Sequence, residues 1–429
     1  MNILKFTYNI FFSNSYMSKK IKNDLLYKHT FSFPESSKSD FLLPLRQFKR
    51  ILFKIWNGTK QDNFFFLKHQ ESLIYCDTNL EKNDLIKYVR KYDKSVEFGI
   101  CREDLLVGFS FSKKLFFSIL YLLILIPVFL IVFFRRKLIL NLTLLPEIYL
   151  QIKEILRLVN NLKINNLYFF HPHEPEANLI AFFVMKNGVN VIKIPNSNPL
   201  FMFNKSMVSS KLVLSLGYQK EEADFFYNLD DGLMYEYWEP KYLQKFYNNN
   251  FENSINNKIC FYSHGAKIRK EMGHNLPAFN EVNMEIDLLD FIRKNNFFST
   301  HDVTVCLHPK EKQSLEIISE SKEYYKEIFG ESVKFFDEIS YHSFSKFNLG
   351  FGAFSSILFE RIHCGYKTLI FNDRIKDFPI INSNFDYFLI KKLNDIENKI
   401  DSALLINSNN FFLGRFNYTF KFTSHIVKN

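Results

Sequence analysis

Between residues 258 and 371 the chain alternates short apolar runs with stretches of helical spacing, and this rhythm constrains the fold more than any other feature. The runs at 258–262, 303–307, 333–336, 348–351 and 367–371 are rich in Val, Ile, Leu and Phe and have the length of buried strands. Residues 284–294, 315–329 and 355–363 carry apolar side chains one helical turn apart, the last stretch being stopped by Gly365, and 395–405 predicts a late helix. Strands separated by helices of this length pair in parallel through crossovers, which predicts an α/β sheet.

A weaker instance of the same rhythm precedes it. Residues 63–67 and 72–76 predict strands, 80–92 and 144–162 helices, 167–170 a strand, 176–186 a helix closed by Asn187-Gly188, and 189–194 another strand. The Asn-rich stretch 247–257 can bury little and predicts a linker. The expectation is therefore two Rossmann-like domains facing across a cleft. Residues 1–247 form the first, 248–257 the linker, 258–405 the second, and 406–429 a tail.

Residues 115–134 form a charge-free apolar run long enough to span a bilayer. Pro127 would kink it, and Lys113, Lys114, Arg135, Arg136 and Lys137 flank it on both sides. A spanning helix, a kinked re-entrant or in-plane anchor, and a buried core helix all remain open. Basic residues at both ends favour the anchor. The formal net charge of +10 suits anionic headgroups or phosphorylated substrates, or only a solvated surface. No compact basic–aromatic module points to nucleic acid. Five cysteines without a CxxC pair predict neither a metal knuckle nor a disulfide framework, and fit a reducing, cytoplasmic setting. Residues 1–16 lack the continuous apolar core of a signal peptide.

Three short motifs carry the chemistry. His308-Pro309 ends a strand, and a protonated imidazole there could donate to a phosphate oxygen, with Lys310 and Lys312 adding positive potential. Ser355-Ser356 opens a helix whose N–H groups favour anions. Gly350 and Gly352 just before it would allow close backbone approach, and Glu360 one turn on could touch a ribose hydroxyl or lie on the surface. Asp230-Asp231-Gly232 suits a sharp turn, or a general base for an acceptor hydroxyl. Each motif also has a plain structural reading as a turn or a helix cap. A second His-Pro, His171-Pro172, shows how common the dipeptide is.

Together and in this order, the motifs resemble those of bacterial sialyltransferases of the lipooligosaccharide and polysialic-acid capsule type. The resemblance covers about residues 225–375. It implies a GT-B fold and a metal-independent, inverting transfer of a nonulosonate from a CMP donor to a cell-surface glycan or lipid-linked glycan, without a cofactor. It also implies Asp231 or Asp230 as base, with His308, Pro309, Lys310, Gly352, Ser355, Ser356 and Glu360 around the donor. With the apolar run 115–134, the expected location is the cytoplasmic face of the inner membrane. The apolar run departs from the soluble pattern of that family. Residues 263–270, with Gly265 and several basic side chains, either reach the donor or form a solvated loop.

Rival readings share several features. Ser355-Ser356-Ile357-Leu358-Phe359-Glu360 after Leu307-His308-Pro309 is similar to CDP-glycerol phosphotransferases of the teichoic-acid polymerase type. The acid those enzymes carry before Ser-Ser is replaced here by Ala353-Phe354. A CMP-Kdo transferase is a nearer variant of the main reading. A membrane-anchored scaffold would need none of the polar groups at strand ends.

Overall fold

The computed structural model describes residues 56, 71–76, 79–101, 114–116, 118–119, 123, 145–170, 175–194, 205–215, 219–228, 233–238, 243, 245–247, 257–271, 280–374 and 383–412. These fall into two compact units that divide after Trp238, except that residues 215 and 219–225 cluster with the second.

In the first unit, β1 (Ser72–Cys76), β2 (Val96–Cys101), β3 (Asn166–Phe170), β4 (Asn190–Ile194), β6 (Lys211–Leu214) and β8 (Met234–Tyr237) form one all-parallel sheet. Its order is β2-β1-β3-β4-β6-β8. The short strands β5 (Lys205–Ser206) and β7 (Tyr227–Asn228) pair separately, also in parallel. Every side chain of β1 is buried, as expected of a parallel sheet covered on both faces. Leu73, Leu167, Phe169 and Val191 pack on one face against Ile148, Ile152, Ile155 and Val159 of the Leu145–Leu162 helix. Ile74, Tyr168, Ile192 and Val213 join Val89 and Trp238 in the opposite cluster. This alternation is the period-2 pleat of the strands meeting the 3.6-residue period of the helix.

The second unit holds β9 (Lys258–Tyr262), β10 (Asp302–Cys306), β11 (Lys334–Phe335), β12 (Leu349–Ala353), β13 (Thr368–Phe371) and β14 (Leu389–Ile390). The sheet is again parallel throughout, in the order β11-β10-β9-β12-β13-β14. Counted from β9, this is the 3-2-1-4-5-6 order of a doubly wound dinucleotide-type domain, whose chain reverses direction between β9 and β12. Helices Asn280–Asn295, Leu315–Phe329 and Ser356–His363 lie in the crossovers, and Ile396–Leu405 follows the last strand, its Ile396, Ile400, Ala403 and Leu404 packing into the same core. The core is dense in aromatics, with Phe261, Phe351, Phe359, Phe371 and Phe388 all fully buried.

Arg361 is buried inside this core. It donates to the carbonyls of Phe344 and Phe347 at 2.7 Å each and lies against the rings of Tyr262, Phe344 and Tyr366. Lys367 is equally buried and donates to the carbonyls of Ala403 and Ile406, tying β13 to the end of the Ile396–Leu405 helix. Both cations replace water with oriented carbonyl dipoles, which is what makes their burial tolerable.

Several sequence expectations change. β2, β6, β8, β14 and the Gln219–Phe226 helix add to the expected elements; β6 is apolar from Leu212 to Leu214 but only four residues long, and β8 is exposed or partly exposed along its length. Part of the expected tail is structured: Ser408–Phe412 is helical, and Phe411 and Phe412 enter the second core. Leu243, Phe246 and Tyr247 also pack on that core, while most of the expected linker and the strand expected at 63–67 lie outside the described residues. Of the apolar run 115–134, only Leu115, Phe116, Ser118, Ile119 and Leu123 are described, and its four apolar members are exposed. No helix among the described residues is long and apolar enough to cross a membrane.

Candidate active site

The carboxyl ends of β10, β9 and β12 lie side by side, because β9 pairs with both of the others. His308 and the serine pair do not follow adjacent strands. β9 stands between them, so their strands are about 10 Å apart, two interstrand spacings. The loop after β9, residues 263–265, occupies the middle of the edge; it begins the segment 263–270 that the sequence left open between reaching a donor and forming a solvated loop.

His308 is held firmly. It is the N-cap of the turn Pro309–Lys312, where Pro309 fits the first position. Its Nδ1 accepts from the Lys310 N–H at 3.1 Å, and its own N–H donates to Glu311 Oε2 at 2.8 Å, a reciprocal capping box. An accepting Nδ1 leaves the ring proton on Nε2. Burial, reinforced by the Arg269 and Lys310 charges, lowers the His308 pKa to about 4. The imidazole is thus neutral at neutral pH, not the cation expected from sequence, and offers one directed N–H.

The β9 loop sits against this ring. Gly265 has φ +73°, and a Cβ there would stand 3.3 Å from three atoms of the His308 side chain. The positive φ favours glycine, and an added Cβ would press on the His308 side chain. The His264 ring lies 6.0 Å from that of His308, and its Nε2 accepts from Arg269 Nη1 at 2.7 Å. Burial first, then the Arg269 charge, holds the His264 pKa well below the ordinary imidazole range. Arg269, Lys310 and two neutral imidazoles therefore share one sheet edge. Such a cluster suits an anion, because the positive charge is already in place and the imidazoles add directional donors. Lys312 is not part of it; its ammonium reaches the carbonyls of Phe336 and Glu338.

Beneath the two loops lies a polar chain. Glu285 is fully buried and accepts the N–H groups of His264 at 2.5 Å and Ala266 at 3.2 Å. Glu311, also fully buried, accepts the Tyr325 hydroxyl at 3.0 Å in addition to the His308 N–H. The Ser263 hydroxyl lies 2.5 Å from that of Tyr325 and 3.5 Å from Glu285. Burial pushes Glu285 up to about 8, with the Glu311 charge adding to it, and burial raises Glu311 as well. Glu285 inside a helical pattern and Glu311 between two lysines look like surface residues in the sequence, so they gave no signal.

Ser355 is the buried N-cap of the Ser356–His363 helix, and its hydroxyl does not take the capping bond. Ser356 is exposed. Gly350 and Gly352 serve the interior of the unit rather than a ligand. A Cβ at Gly350 would fall 2.5 Å from Arg361 Nε, and one at Gly352 would fall 2.6 Å from the Tyr262 carbonyl oxygen. Glu360 is buried and accepts from the Tyr341 hydroxyl, so it is not a surface residue. Asp230, Asp231 and Gly232, like His171 and Pro172, lie outside the described residues. The acidic motif falls between β7 and β8 of the first unit. Among the described residues, no three His, Cys, Asp or Glu side chains gather as a metal site. An open depression of about 390 Å³, lined by Lys267, Ser319, Glu320, Glu323, Tyr324 and Glu327, shares no residue with the edge formed by His264, His308 and Ser355.

No protein-family model matches the chain, and no curated protein matches it. Among solved structures, MurG from Acinetobacter baumannii is similar at 9% identity and a TM-score of 0.43, over 80% of this chain and 94% of that one. UDP-N-acetylglucosamine 2-epimerase from Rickettsia bellii is similar at 12% identity and a TM-score of 0.41, over 80% and 90%. The wall teichoic acid polymerase TagF gives 10% identity and a TM-score of 0.37, over 86% and 88%.

Proposed function

We propose that the chain is an inverting, metal-independent glycosyltransferase of GT-B layout. In this reading it moves a nonulosonate from a CMP donor onto a cell-surface glycan or lipid-linked glycan. The observation that carries the reading is the gathering of His308, the β9 loop and Ser355-Ser356 at the carboxyl edge of a sheet in 3-2-1-4-5-6 order. Ligands of such sheets bind at this edge, beside the reversal between the first and fourth strands.

The reaction has two tasks. An acceptor hydroxyl gives its proton to Asp231 or Asp230, and its oxygen attacks the anomeric carbon. The bond from that carbon to the CMP phosphate oxygen breaks, and CMP departs with one more negative charge. His308 Nε2–H, the Ser355 and Ser356 hydroxyls and the first N–H groups of the Ser356–His363 helix stabilise that charge by hydrogen bonding. Arg269 and Lys310 supply the long-range attraction. Exposed Leu115, Phe116, Ile119 and Leu123 support work at a membrane surface, proposed as the cytoplasmic face of the inner membrane.

One observation favours a second reading. Arg269 and Lys310 both act on the His308 ring, which suits a donor with two phosphates and hence CDP-glycerol transfer. The test offers full-length protein CMP-nonulosonates, CMP-Kdo and CDP-glycerol with a glycan acceptor, and identifies products by mass spectrometry. Turnover of a CMP-sugar that Asp231→Ala and His308→Ala each abolish is expected. Turnover of CDP-glycerol alone selects the second reading, and unchanged turnover in both variants removes the catalytic assignment.

A further inference from the structure

The loops after β9 and β10 are joined underneath by an unbroken polar chain. Glu285 holds the N–H groups of His264 and Ala266, and Glu311 holds the N–H of His308. Between the two carboxyls stand only the hydroxyls of Ser263 and Tyr325, and the Gly265 N–H donates to the Ser263 oxygen at 2.8 Å. We propose that Glu285, Ser263, Tyr325 and Glu311 form a positioning clamp that couples the two imidazole-bearing loops, so that His264 and His308 are presented as one rigid unit.

The direction of the hydrogen bonds explains how the clamp works. Tyr325 gives its hydroxyl proton to Glu311, so its oxygen is free to accept from Ser263. The Ser263 hydroxyl also donates toward Glu285 Oε1, at 3.5 Å, and its oxygen accepts the Gly265 N–H at 2.8 Å. Every donor in the chain meets an acceptor. Both carboxyls are fully buried, and burial, with the Glu311 charge adding to it, raises the proton affinity of Glu285. A fully satisfied buried network is rigid, and removing one link leaves its neighbours without partners. The clamp fixes His308 through its backbone, while the ring is fixed separately by the Lys310 N–H. Together they select the Nε2–H tautomer that the proposed function requires, and on that reading the inference rests.

Tyr325→Phe removes one hydroxyl and keeps the ring, and Ser263→Ala removes the other. In full-length protein, ¹⁵N shifts of the His308 ring report its tautomer, and calorimetry reports CMP affinity. The expected result is a mixture of tautomers in either variant, with CMP bound about ten-fold more weakly, the loss typical of one buried hydrogen bond to a charged group. The double variant should be no worse than about the larger single effect, because one chain is cut twice. Unchanged His308 shifts in both single variants, or additive losses in the double, overturn the clamp. The ligand-free shifts test the clamp alone. A wild type that binds neither CMP nor CDP, yet loses its tautomer in the variants, keeps the clamp and sinks the proposed function.

Discussion

Gly352→Ala tests whether close approach of two strands sets the geometry of the site. The new Cβ would lie 2.6 Å from the Tyr262 carbonyl oxygen, a backbone atom, whereas real contacts essentially never fall below 3.0 Å. The strands must therefore part by at least ~0.4 Å (3.0 − 2.6) in a close-packed interior. Overpacking of this kind costs about 1–3 kcal/mol. Weakening one adjacent ladder bond between β9 and β12 adds about 1 kcal/mol. The sum, about 2–4 kcal/mol, is a large part of the roughly 5–15 kcal/mol that stabilises a typical domain. Urea denaturation of the variant should show it directly. Gly188→Ala is the control, because Gly188 has φ +80° but nothing within 4 Å of its added Cβ. That change should cost only the left-handed strain, about 1–2 kcal/mol. Because Tyr262 leads into the β9 loop and Gly352 into Ser355, the Gly352 variant should also bind CMP at least ten-fold more weakly, whereas Gly188→Ala should not alter binding. A Gly352→Ala protein as stable as wild type would refute the assignment of this glycine to strand packing.

His308→Asn keeps an acceptor near Nδ1 for the Lys310 N–H but loses Nε2–H, so calorimetry should show CMP binding at least ten-fold weaker with little change in melting temperature. Arg269→Met removes a charge that disfavours the His308 cation, and NMR titration should place the His308 pKa above its present value of about 4. Stability should peak near pH 6–7. His308 and His363 have folded pKa values of about 4, below the ordinary 6.5, so the unfolded chain binds their protons first and stability falls as pH drops from 6.5 to 4. For His363, 3% exposed, that loss reaches ~3 kcal/mol (2.5 × 1.36). Glu285 acts oppositely: its folded value of about 8 lies above the ordinary 4.5, so its stabilisation is complete below 4.5 and is lost as pH rises to 8. Thermal melts from pH 4 to 9 check this, and Glu285→Gln should flatten the alkaline limb.

Much of the second unit was legible, because a buried parallel strand must be almost wholly apolar. Residues 258–262 and 367–371 advertise themselves in this way, and both are strands in the structure apart from Lys367. Strands that are short or half-exposed gave no such signal. Met234–Tyr237 is exposed or partly exposed along its length, and Leu389–Ile390 has only two residues. The motif positions were legible for the same reason as the strands, since His308 and Ser355 follow directly where apolar runs end. Their roles were less so. The charge state of His308 depends on Arg269, Lys310 and burial, which only the fold brings together.

Strand order was the decisive hidden quantity. Local pattern shows that β9, β10 and β12 exist, but it does not show that the first of them in sequence lies between the other two in space. That placement follows from the crossovers, which carry the chain outward from β9 in one direction and then return it past β9 in the other. The strand that starts the unit therefore ends at its centre, and the loop leaving it becomes the middle of the site. Ser263, His264, Gly265 and Arg269 follow no short motif of the kind His308-Pro309 makes, yet this geometry sets the loop that carries them between His308 and Ser355. If variants in this loop left CMP binding intact while His308→Asn and Ser355→Ala abolished it, a shared site spanning β9 would be untenable.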